Sequence, residues 1–119
     1  MLLGVGPNDT EAQAARLADK VTGLRVFEDE NEKMNRNLAA VGGGLLVVSQ
    51  FTLYADTKSR RPGFTGAAKP DVAIPLYEAF LSECARLGFP PQHGRFGADM
   101  QVYSVNDGPV TILLDTDLM

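Results

Sequence analysis

Polar side chains appear abruptly at the end of the most apolar stretch of the sequence. Leu45–Val48 is followed by Ser49, Gln50 and Thr52, with Phe51 between them. Because the end of a buried strand combines a rigid scaffold with access to solvent, hydroxyl and amide groups there can hold a water molecule or a developing oxyanion. A strand edge that merely turns polar has the same composition, and the residues alone leave both interpretations open.

A second segment of chemical interest is Asn106–Thr111, in which Gly108 precedes Pro109. An X–Pro peptide bond adopts the cis form at a cost of only about 0.5–1 kcal/mol. A cis bond here would turn the Gly108 carbonyl and the next one outward, where they could accept hydrogen bonds from a ligand amino group. An ordinary turn of the hairpin type fits the same residues, so this assignment also stays open.

The sequence excludes several kinds of site. A single cysteine, Cys84, and a single histidine, His93, leave no intrachain disulfide, no cysteine-based metal cluster and little room for a Ser-His-Asp triad. Cys84 is predicted to be a core residue on an apolar helix face, and His93 to lie in a surface loop. The acidic run Glu28–Glu32 lacks the ligand spacing of a calcium loop and is interpreted as a solvated loop.

Three cations, Lys58, Arg60 and Arg61, lie in a flexible segment from Asp56 to Pro70, shortly after the first polar run. Cations so placed either bind phosphates or belong to an ordinary solvated loop. The net charge of −4 argues against a surface that coats nucleic acid broadly, but it permits a small local contact. No apolar run reaches the ~18 residues of a membrane span, so no membrane partner is expected.

Hydrophobic periodicity and turn residues place these segments in a small α/β fold. Apolar residues at three- and four-residue spacing predict helices from about Glu11 to Val21 and from about Val72 to Leu87, the second with Pro75 in its first turns. The predicted strands are Met1–Val5, Leu24–Phe27, Leu45–Phe51, Met100–Val105 and Val110–Leu114, and Glu28–Arg36 is predicted to be a charged loop. The length supports one domain, residues 1–119.

Together, two segments resemble the signature motifs of the D-aminoacyl-tRNA deacylase family, whose members include D-tyrosyl-tRNA(Tyr) deacylases. They are Ser49-Gln50-Phe51-Thr52-Leu53-Tyr54-Ala55-Asp56 and Asn106-Asp107-Gly108-Pro109-Val110-Thr111. Shorter matches follow the same order at Phe27–Asp29, Lys33–Asn35, Arg61–Phe64, Pro75–Phe80 and Gly94–Val102. The resemblance covers nearly the whole chain, and two long motifs at the expected separation make it specific.

The resemblance implies a hydrolase that cleaves the ester between a D-amino acid and the terminal ribose of tRNA, and that also removes mischarged glycine. It implies a single mixed, mostly antiparallel, barrel-like sheet with two main helices. It further implies a cytoplasmic homodimer with active sites at the interface, a tRNA 3′ end as partner, and neither metal nor cofactor. The Gly108–Pro109 segment matches the family's Gly-cisPro motif, which excludes an L side chain from the partner subunit's pocket.

The resemblance also assigns roles to individual residues. The expected catalytic residues are Ser49, Gln50 and Thr52; the expected substrate-binding residues are Phe51, Gly108 and Pro109; the expected tRNA contacts are Lys58, Arg60 and Arg61. Either the threonine acts as a nucleophile or the 2′-hydroxyl of the tRNA activates water. With one histidine and one cysteine in the chain, the substrate-assisted route is favoured.

The sequence departs from the family pattern at its front, because the resemblance implies a preceding strand hairpin that this sequence lacks. Its absence is expected to leave a sheet edge unpaired and to remove an arginine that braces the Gly108–Pro109 element. Two other hypotheses stay open. One is an inactive fragment of the same family that binds the tRNA 3′ end, and the other is a generic esterase without chiral preference.

Overall fold

The computed structural model describes all 119 residues and contains two helices and two small sheets. In chain order the elements are β1 (Leu2–Leu3), α1 (Glu11–Gly23), β2 (Phe27–Glu28), β3 (Met34–Arg36), β4 (Leu46–Ser49), a 3₁₀ helix (Phe51–Tyr54), α2 (Pro70–Arg86) and β5 (Gln92–His93). The strand β4 lies between β1 and β5 and pairs in parallel with both, whereas β2 and β3 form an antiparallel hairpin.

The hydrophobic core forms where the two helices and the central sheet meet. Its buried residues are Leu3, Ala18, Val47, Tyr77, Phe80 and Cys84. Val47 and Val48 are neighbours in β4, so their side chains point to opposite faces of the sheet, and both are buried. The centre of β4 is therefore covered on both sides, as its continuous apolar sequence predicts.

The first helix begins and ends close to its predicted bounds. Thr10 is the N-cap, and its backbone N–H donates to Gln13 Oε1 over 2.8 Å, which is one half of a capping box. Asp9, which precedes the N-cap, accepts a hydrogen bond from the Gly6 N–H over 2.7 Å. Asp9 thereby closes the turn that joins β1 to α1.

The second helix begins at Pro70, earlier than the predicted start at Val72, with Lys69 as its N-cap. Pro75 consequently lies beyond the first turn. Its missing N–H removes one hydrogen bond from the helix interior, a loss that the first turn would not have incurred. Tertiary burial of the helix outweighs this local loss.

The apolar residues of α2 at three- and four-residue spacing are not all buried to the same extent. Cys84 is buried as predicted and so is Phe80, but Leu76 and Leu87 are only partly buried. The core position between them is occupied by Tyr77, whose hydroxyl donates to the Val47 carbonyl over 3.3 Å. This hydrogen bond satisfies the polar tip of a buried aromatic side chain and joins the helix to the sheet.

The charged segment after α1 is a hairpin, which corrects the predicted loop at Glu28–Arg36. The strand β3 pairs with β2, and the strand predicted at Leu24–Phe27 is shifted toward its C-terminal end. Asp29 organises the turn, because its side chain accepts hydrogen bonds from the N–H groups of Lys33 (3.0 Å) and Asn31 (2.8 Å). These two hydrogen bonds lower the pKa of Asp29.

The two predicted C-terminal strands, Met100–Val105 and Val110–Leu114, are absent. Residues Met100–Leu114, here called the C-terminal arm, have no regular secondary structure, and their only backbone–backbone hydrogen bond joins the Asp107 N–H to the Val105 carbonyl over 3.1 Å. The arm has the apolar alternation of a strand, but no second strand lies beside it. A strand without a neighbour forms no ladder of hydrogen bonds.

The expected α/β class with two main helices and a mixed sheet is confirmed. The pairing is not mostly antiparallel, however, because both ladders of the central sheet are parallel, and neither sheet closes into a barrel. His93 also departs from its predicted surface loop, since it belongs to β5. Neither helix combines the length and the apolar character that crossing a membrane would require.

Candidate functional site

The first polar run lies on the 3₁₀ helix and on the two residues before it. The strand β4 ends at Ser49, earlier than the predicted Phe51, because Gln50 leaves the extended conformation. The Gln50 N–H still donates to the Leu3 carbonyl over 2.8 Å, so the start of the 3₁₀ helix is fixed to β1. Ser49, Gln50 and Thr52 are each half-buried, which leaves their polar groups within reach of a ligand.

Gln50 and Thr52 form a hydrogen-bonded pair. The Gln50 amide Nε2 donates to Thr52 Oγ1, so the threonine oxygen has an oriented donor and its own proton is free to donate elsewhere. The N–H groups of Phe51 and Thr52 stand at the beginning of the 3₁₀ helix and have no acceptor within it. The segment therefore offers several hydrogen-bond donors on consecutive residues, a set of groups that suits an ester carbonyl or a water molecule.

Aromatic side chains hold the two ends of the 3₁₀ helix. Phe51 packs edge-to-face against Phe64, with ring centroids 5.1 Å apart and an interplanar angle of 75°. At the other end, the ring of Tyr54 lies on Gly4, where a Cβ atom would come within 3.0 Å of Tyr54 Cε2. Only glycine permits this approach, so the 3₁₀ helix is fastened both to the segment after it and to the turn after β1.

The cations identified in the sequence occupy a closed loop next to the 3₁₀ helix, residues Asp56–Gly63, here called the basic loop. Two backbone hydrogen bonds between Asp56 and Gly63, of 2.7 and 2.9 Å, close its base. Lys58, Arg60 and Arg61 are exposed, and none of them forms an ion pair, since the single salt bridge of the chain joins Arg86 to Glu83. The basic loop is therefore an uncompensated positive patch on an acidic protein.

The second motif lies at the middle of the C-terminal arm. The Gly108–Pro109 peptide bond is cis, in agreement with the resemblance, and Gly108 has a φ of +130°, a conformation that favours glycine. A hydrogen bond of 3.2 Å from the Val110 N–H to Asn106 Oδ1 supports this bend. All residues of the motif are exposed, so the hairpin turn predicted here is instead an open bend without flanking strands.

The arm is fastened near both of its ends but not in its middle. Met100 packs against Gly94, where an added Cβ would meet its sulfur, and beyond the arm Arg16 donates to the carbonyl oxygen of Met119. Burial, with smaller effects of the carboxylates of Asp9, Asp115 and Asp117, raises the pKa of Tyr54. The intervening Gly108–Pro109 bend forms no hydrogen bond with the 3₁₀ helix of its own chain.

The other candidate groups from the sequence, Cys84 and His93, show no arrangement that indicates a catalytic role. Burial, with a smaller effect of the Glu83 carboxylate, raises the pKa of Cys84 to about 11, so its thiol stays protonated at neutral pH and is no nucleophile. His93 is exposed, and its Nδ1 lies 2.7 Å from the Gly94 carbonyl oxygen. No cluster of three or more acidic, histidine or cysteine side chains has the arrangement of a metal site.

The structure thus brings together some of the sequence-predicted residues and leaves others apart. Gln50 and Thr52 are in hydrogen-bond contact, Ser49 immediately precedes them at the end of β4, and the three cations lie on the loop that follows. Gly108 and Pro109 stand apart from both within the chain. The sequence indicates no separate role for Phe64, yet its ring contacts Phe51 directly; its position just after Gly63 is the one signal in the sequence that points to this contact.

Comparisons with known proteins agree with the motifs. The family model of D-Tyr-tRNA(Tyr) deacylase matches residues 1–115. The D-aminoacyl-tRNA deacylase of Roseiflexus castenholzii is 59% identical over 117 residues, covering 98% of this chain and 74% of that protein. The D-aminoacyl-tRNA deacylase of Lacticaseibacillus casei is 58% identical over 118 residues, covering 98% and 80%.

A solved structure shares the fold as well. The c-Myc DNA Unwinding Element Binding Protein superimposes with a TM-score of 0.89 at 38% sequence identity, and the match covers 96% of this chain and 78% of that one. Nearly the whole of this chain thus shares its fold with that protein.

Proposed function

This chain belongs to the D-aminoacyl-tRNA deacylase family and is a hydrolase that cleaves D-aminoacyl-tRNA in translational proofreading, and on that premise we propose how its residues perform the reaction. The observation that carries the proposal is the Gln50–Thr52 pair on a 3₁₀ helix held by its own chain. We propose that Ser49, Gln50 and Thr52 bind the ester and a water molecule, and that the backbone N–H groups beside them receive charge that develops on the carbonyl oxygen.

In the proposed reaction, a water oxygen bonds to the ester carbonyl carbon, and the bond from that carbon to the ribose oxygen breaks. A proton lost by the water goes to the departing ribose oxygen, so the products are a free D-amino acid and tRNA. The chain's one thiol is protonated and its one histidine is exposed at β5, which supports activation of the water by the 2′-hydroxyl of the tRNA. Thr52 then orients the ester rather than attacking it.

The chirality of the reaction is proposed to come from the arm of a second copy. The exposed Gly108–Pro109 bend, with no hydrogen bond to its own 3₁₀ helix, supports a position in the partner subunit's pocket. There its carbonyls accept hydrogen bonds from the substrate ammonium group and Phe51 contacts the acyl portion. The side chain of an L-aminoacyl group would point into the bend and clash with it, whereas the side chain of a D-aminoacyl group points away. A glycyl group is also accepted, because it has no side chain.

Several features of the arm support a homodimer. Tyr103, Val105 and Leu113 are each at least 83% exposed, and the backbone around them lacks ladder partners. A second copy would cover this apolar surface and satisfy these backbone groups. We propose that each of two sites combines the 3₁₀ helix of one copy with the arm of the other.

The tRNA 3′ end is the proposed RNA contact. Lys58, Arg60 and Arg61 have no carboxylate partners and lie on the loop that follows the 3₁₀ helix, which supports contacts to its phosphates. The net charge of −4 supports a contact limited to that end. We further propose that residues 1–119 act as one domain in the cytoplasm, without a metal or a cofactor.

The proposal is tested with two mirror-image substrates, D-Tyr-tRNA and L-Tyr-tRNA, at equal concentrations. Release of tyrosine from the D substrate alone is expected. A D substrate whose terminal ribose lacks the 2′-hydroxyl should react at least ~100-fold more slowly, because it lacks the activating group. Equal hydrolysis of both enantiomers would exclude the chiral mechanism, and tRNA binding without turnover would instead support the inactive-fragment hypothesis.

Two variants separate the routes of water activation. Thr52→Ala is expected to lower kcat about tenfold by loosening the ester, and Thr52→Ser to restore most of it, because serine keeps the hydroxyl that Gln50 contacts. Complete loss in Thr52→Ala together with full activity on the 2′-deoxy substrate would contradict the substrate-assisted route and favour a threonine nucleophile.

A further inference from the structure

The basic loop is mechanically connected to the 3₁₀ helix. Its two ends, Asp56 and Gly63, are joined by two backbone hydrogen bonds, and Asp56 Oδ1 also accepts from the Lys58 N–H over 2.9 Å. Inside the loop, the Ser59 hydroxyl donates to the Arg61 carbonyl over 2.8 Å. These contacts give the loop a defined shape, so a displacement of its cations on phosphate binding is expected to displace its base as well.

The base of the loop leads directly to an aromatic contact. Phe64 follows Gly63 in the sequence, and its ring packs edge-to-face on Phe51 at 5.1 Å. Phe51 precedes Thr52 in the 3₁₀ helix and is itself 54% exposed, so Phe64 is the aromatic neighbour that fixes its ring. Such aromatic pairs contribute about 0.5–1.5 kcal/mol beyond the area that they bury.

The segment beyond Phe64 is fastened too, which gives the contact a rigid support. The Ala67 N–H donates to the Phe64 carbonyl over 3.1 Å, and the Ala68 N–H donates to the Val5 carbonyl over 2.9 Å. The Phe64 ring is therefore held from both sides of the chain. These hydrogen bonds limit how far the Phe64 backbone can move if Phe51 is displaced.

We propose that Phe64 is a positioning residue that sets the orientation of the 3₁₀ helix through Phe51 and links the binding of RNA phosphates on the basic loop to the ester at Thr52. This inference rests on the function proposed above. It adds a residue that touches neither the ester nor the RNA phosphates. It also explains why the cations lie on a closed loop joined to the 3₁₀ helix rather than elsewhere on the surface.

The test uses the full chain and two D substrates: D-Tyr-tRNA, and D-tyrosyl-adenosine, an ester that carries no phosphate. Phe64→Ala is expected to lower kcat about tenfold on both substrates while KM for D-tyrosyl-adenosine stays within about twofold, because the 3₁₀ helix loses its orientation rather than its binding groups. Phe64→Tyr retains the ring and should restore kcat. Phe27→Ala, which removes a surface phenylalanine from β2, is the matched control and should match the wild type.

The link to RNA is tested with a triple substitution of the loop cations, Lys58→Gln, Arg60→Gln and Arg61→Gln. The kcat/KM of this triple variant on D-Tyr-tRNA, relative to its kcat/KM on D-tyrosyl-adenosine, should fall about 10- to 100-fold at low salt. The slope of log kcat/KM on D-Tyr-tRNA against log salt concentration should also become shallower, by the equivalent of about three phosphate contacts. In the Phe64→Ala background the same triple substitution should have a smaller effect, because the link is already broken. Additive effects would overturn the coupling.

Other outcomes are equally decisive. Wild-type kcat in Phe64→Ala, or a change confined to KM, would overturn the positioning role. If Phe64→Ala unfolds, Phe64→Leu replaces it, since leucine keeps the apolar volume and loses the ring; a thermal unfolding profile like that of the wild type with lowered kcat then supports the inference, and unchanged kcat overturns it. Absence of D-ester hydrolysis in the wild type would instead count against the proposed function itself.

Discussion

The 3₁₀ helix and the C-terminal arm carry the two motifs of the proposed site, yet their own chain holds only the first of them. The 3₁₀ helix follows a strand buried on both faces, and Leu3, Gly4 and Phe64 all contact it. The arm is fastened near its ends, exposes its apolar side chains and leaves its backbone unpaired. This difference supports the proposal that one half of the site forms within a subunit and that the other half requires a second chain.

The largest expected difference concerns stability. Phe80→Ala should lower the free energy of unfolding by about 3–5 kcal/mol, because Phe80 is 1% exposed and its removal leaves a cavity in the core. Leu113→Ala in the arm should change it by less than about 0.5 kcal/mol in the monomer, since this side chain is 83% exposed, but should weaken self-association. Urea unfolding measures the free energy of unfolding, and sedimentation measures self-association. A Leu113→Ala monomer as destabilised as Phe80→Ala would contradict the difference between the core and the arm.

A second prediction concerns activity. Gly108→Val should lower hydrolysis of D-Tyr-tRNA by about 100-fold, because a side chain at a φ of +130° is strained and its Cβ would come within 3.1 Å of the Val110 side chain. The monomer should unfold at nearly the wild-type temperature, since the bend is exposed. Gly97→Ala is the matched control: Gly97 also has a positive φ, +76°, but no atom lies within 4 Å of an added Cβ.

The expected outcome for Gly97→Ala is near-wild-type activity. If both glycine variants lost activity equally, the effect would be one of general backbone strain in the C-terminal region. The Gly108–Pro109 bend would then have no special role.

A smaller effect on the free energy of unfolding is expected from a change of pH, and it comes from Cys84 in the hydrophobic core. Because the pKa of Cys84 rises from 9.0 to about 11 on folding, its contribution to stability is complete below pH 9 and is lost as the pH rises through 11. Cys84→Ala should therefore flatten the fall in the free energy of unfolding between these pH values. Urea unfolding of both proteins measures it, and parallel pH profiles would show that the thiol does not contribute.

The sequence predicts the helices well because their signals are local. The three- and four-residue spacing around Ala18 and Phe80 requires no knowledge of other segments, and Thr10 is recognisable as a cap. Strand signals need a partner as well as a pattern. The alternation at Met100–Val105 has the pattern without the partner, and β5, a strand of two residues, has a partner without a pattern.

The candidate site is predictable to the same extent. Ser49 to Thr52 follow one another in the chain, so their proximity is ensured by sequence alone. The contact between Phe64 and Phe51 is not predictable from the sequence, because it depends on how the basic loop closes. The separation between Gly108–Pro109 and the 3₁₀ helix is not predictable from periodicity either, since periodicity carries no information on long-range contacts of the arm.

If each site combines the 3₁₀ helix of one copy with the arm of another, two inactive variants should restore activity when their subunits are mixed. Thr52→Tyr should block the proposed ester position on the 3₁₀ helix, and Gly108→Val should disable the arm. After subunit exchange at equal amounts, about a quarter of the wild-type activity on D-Tyr-tRNA should return, because half of the dimers then carry one intact site of two. No recovery, with exchange verified by mass-labelled subunits, would contradict a shared site.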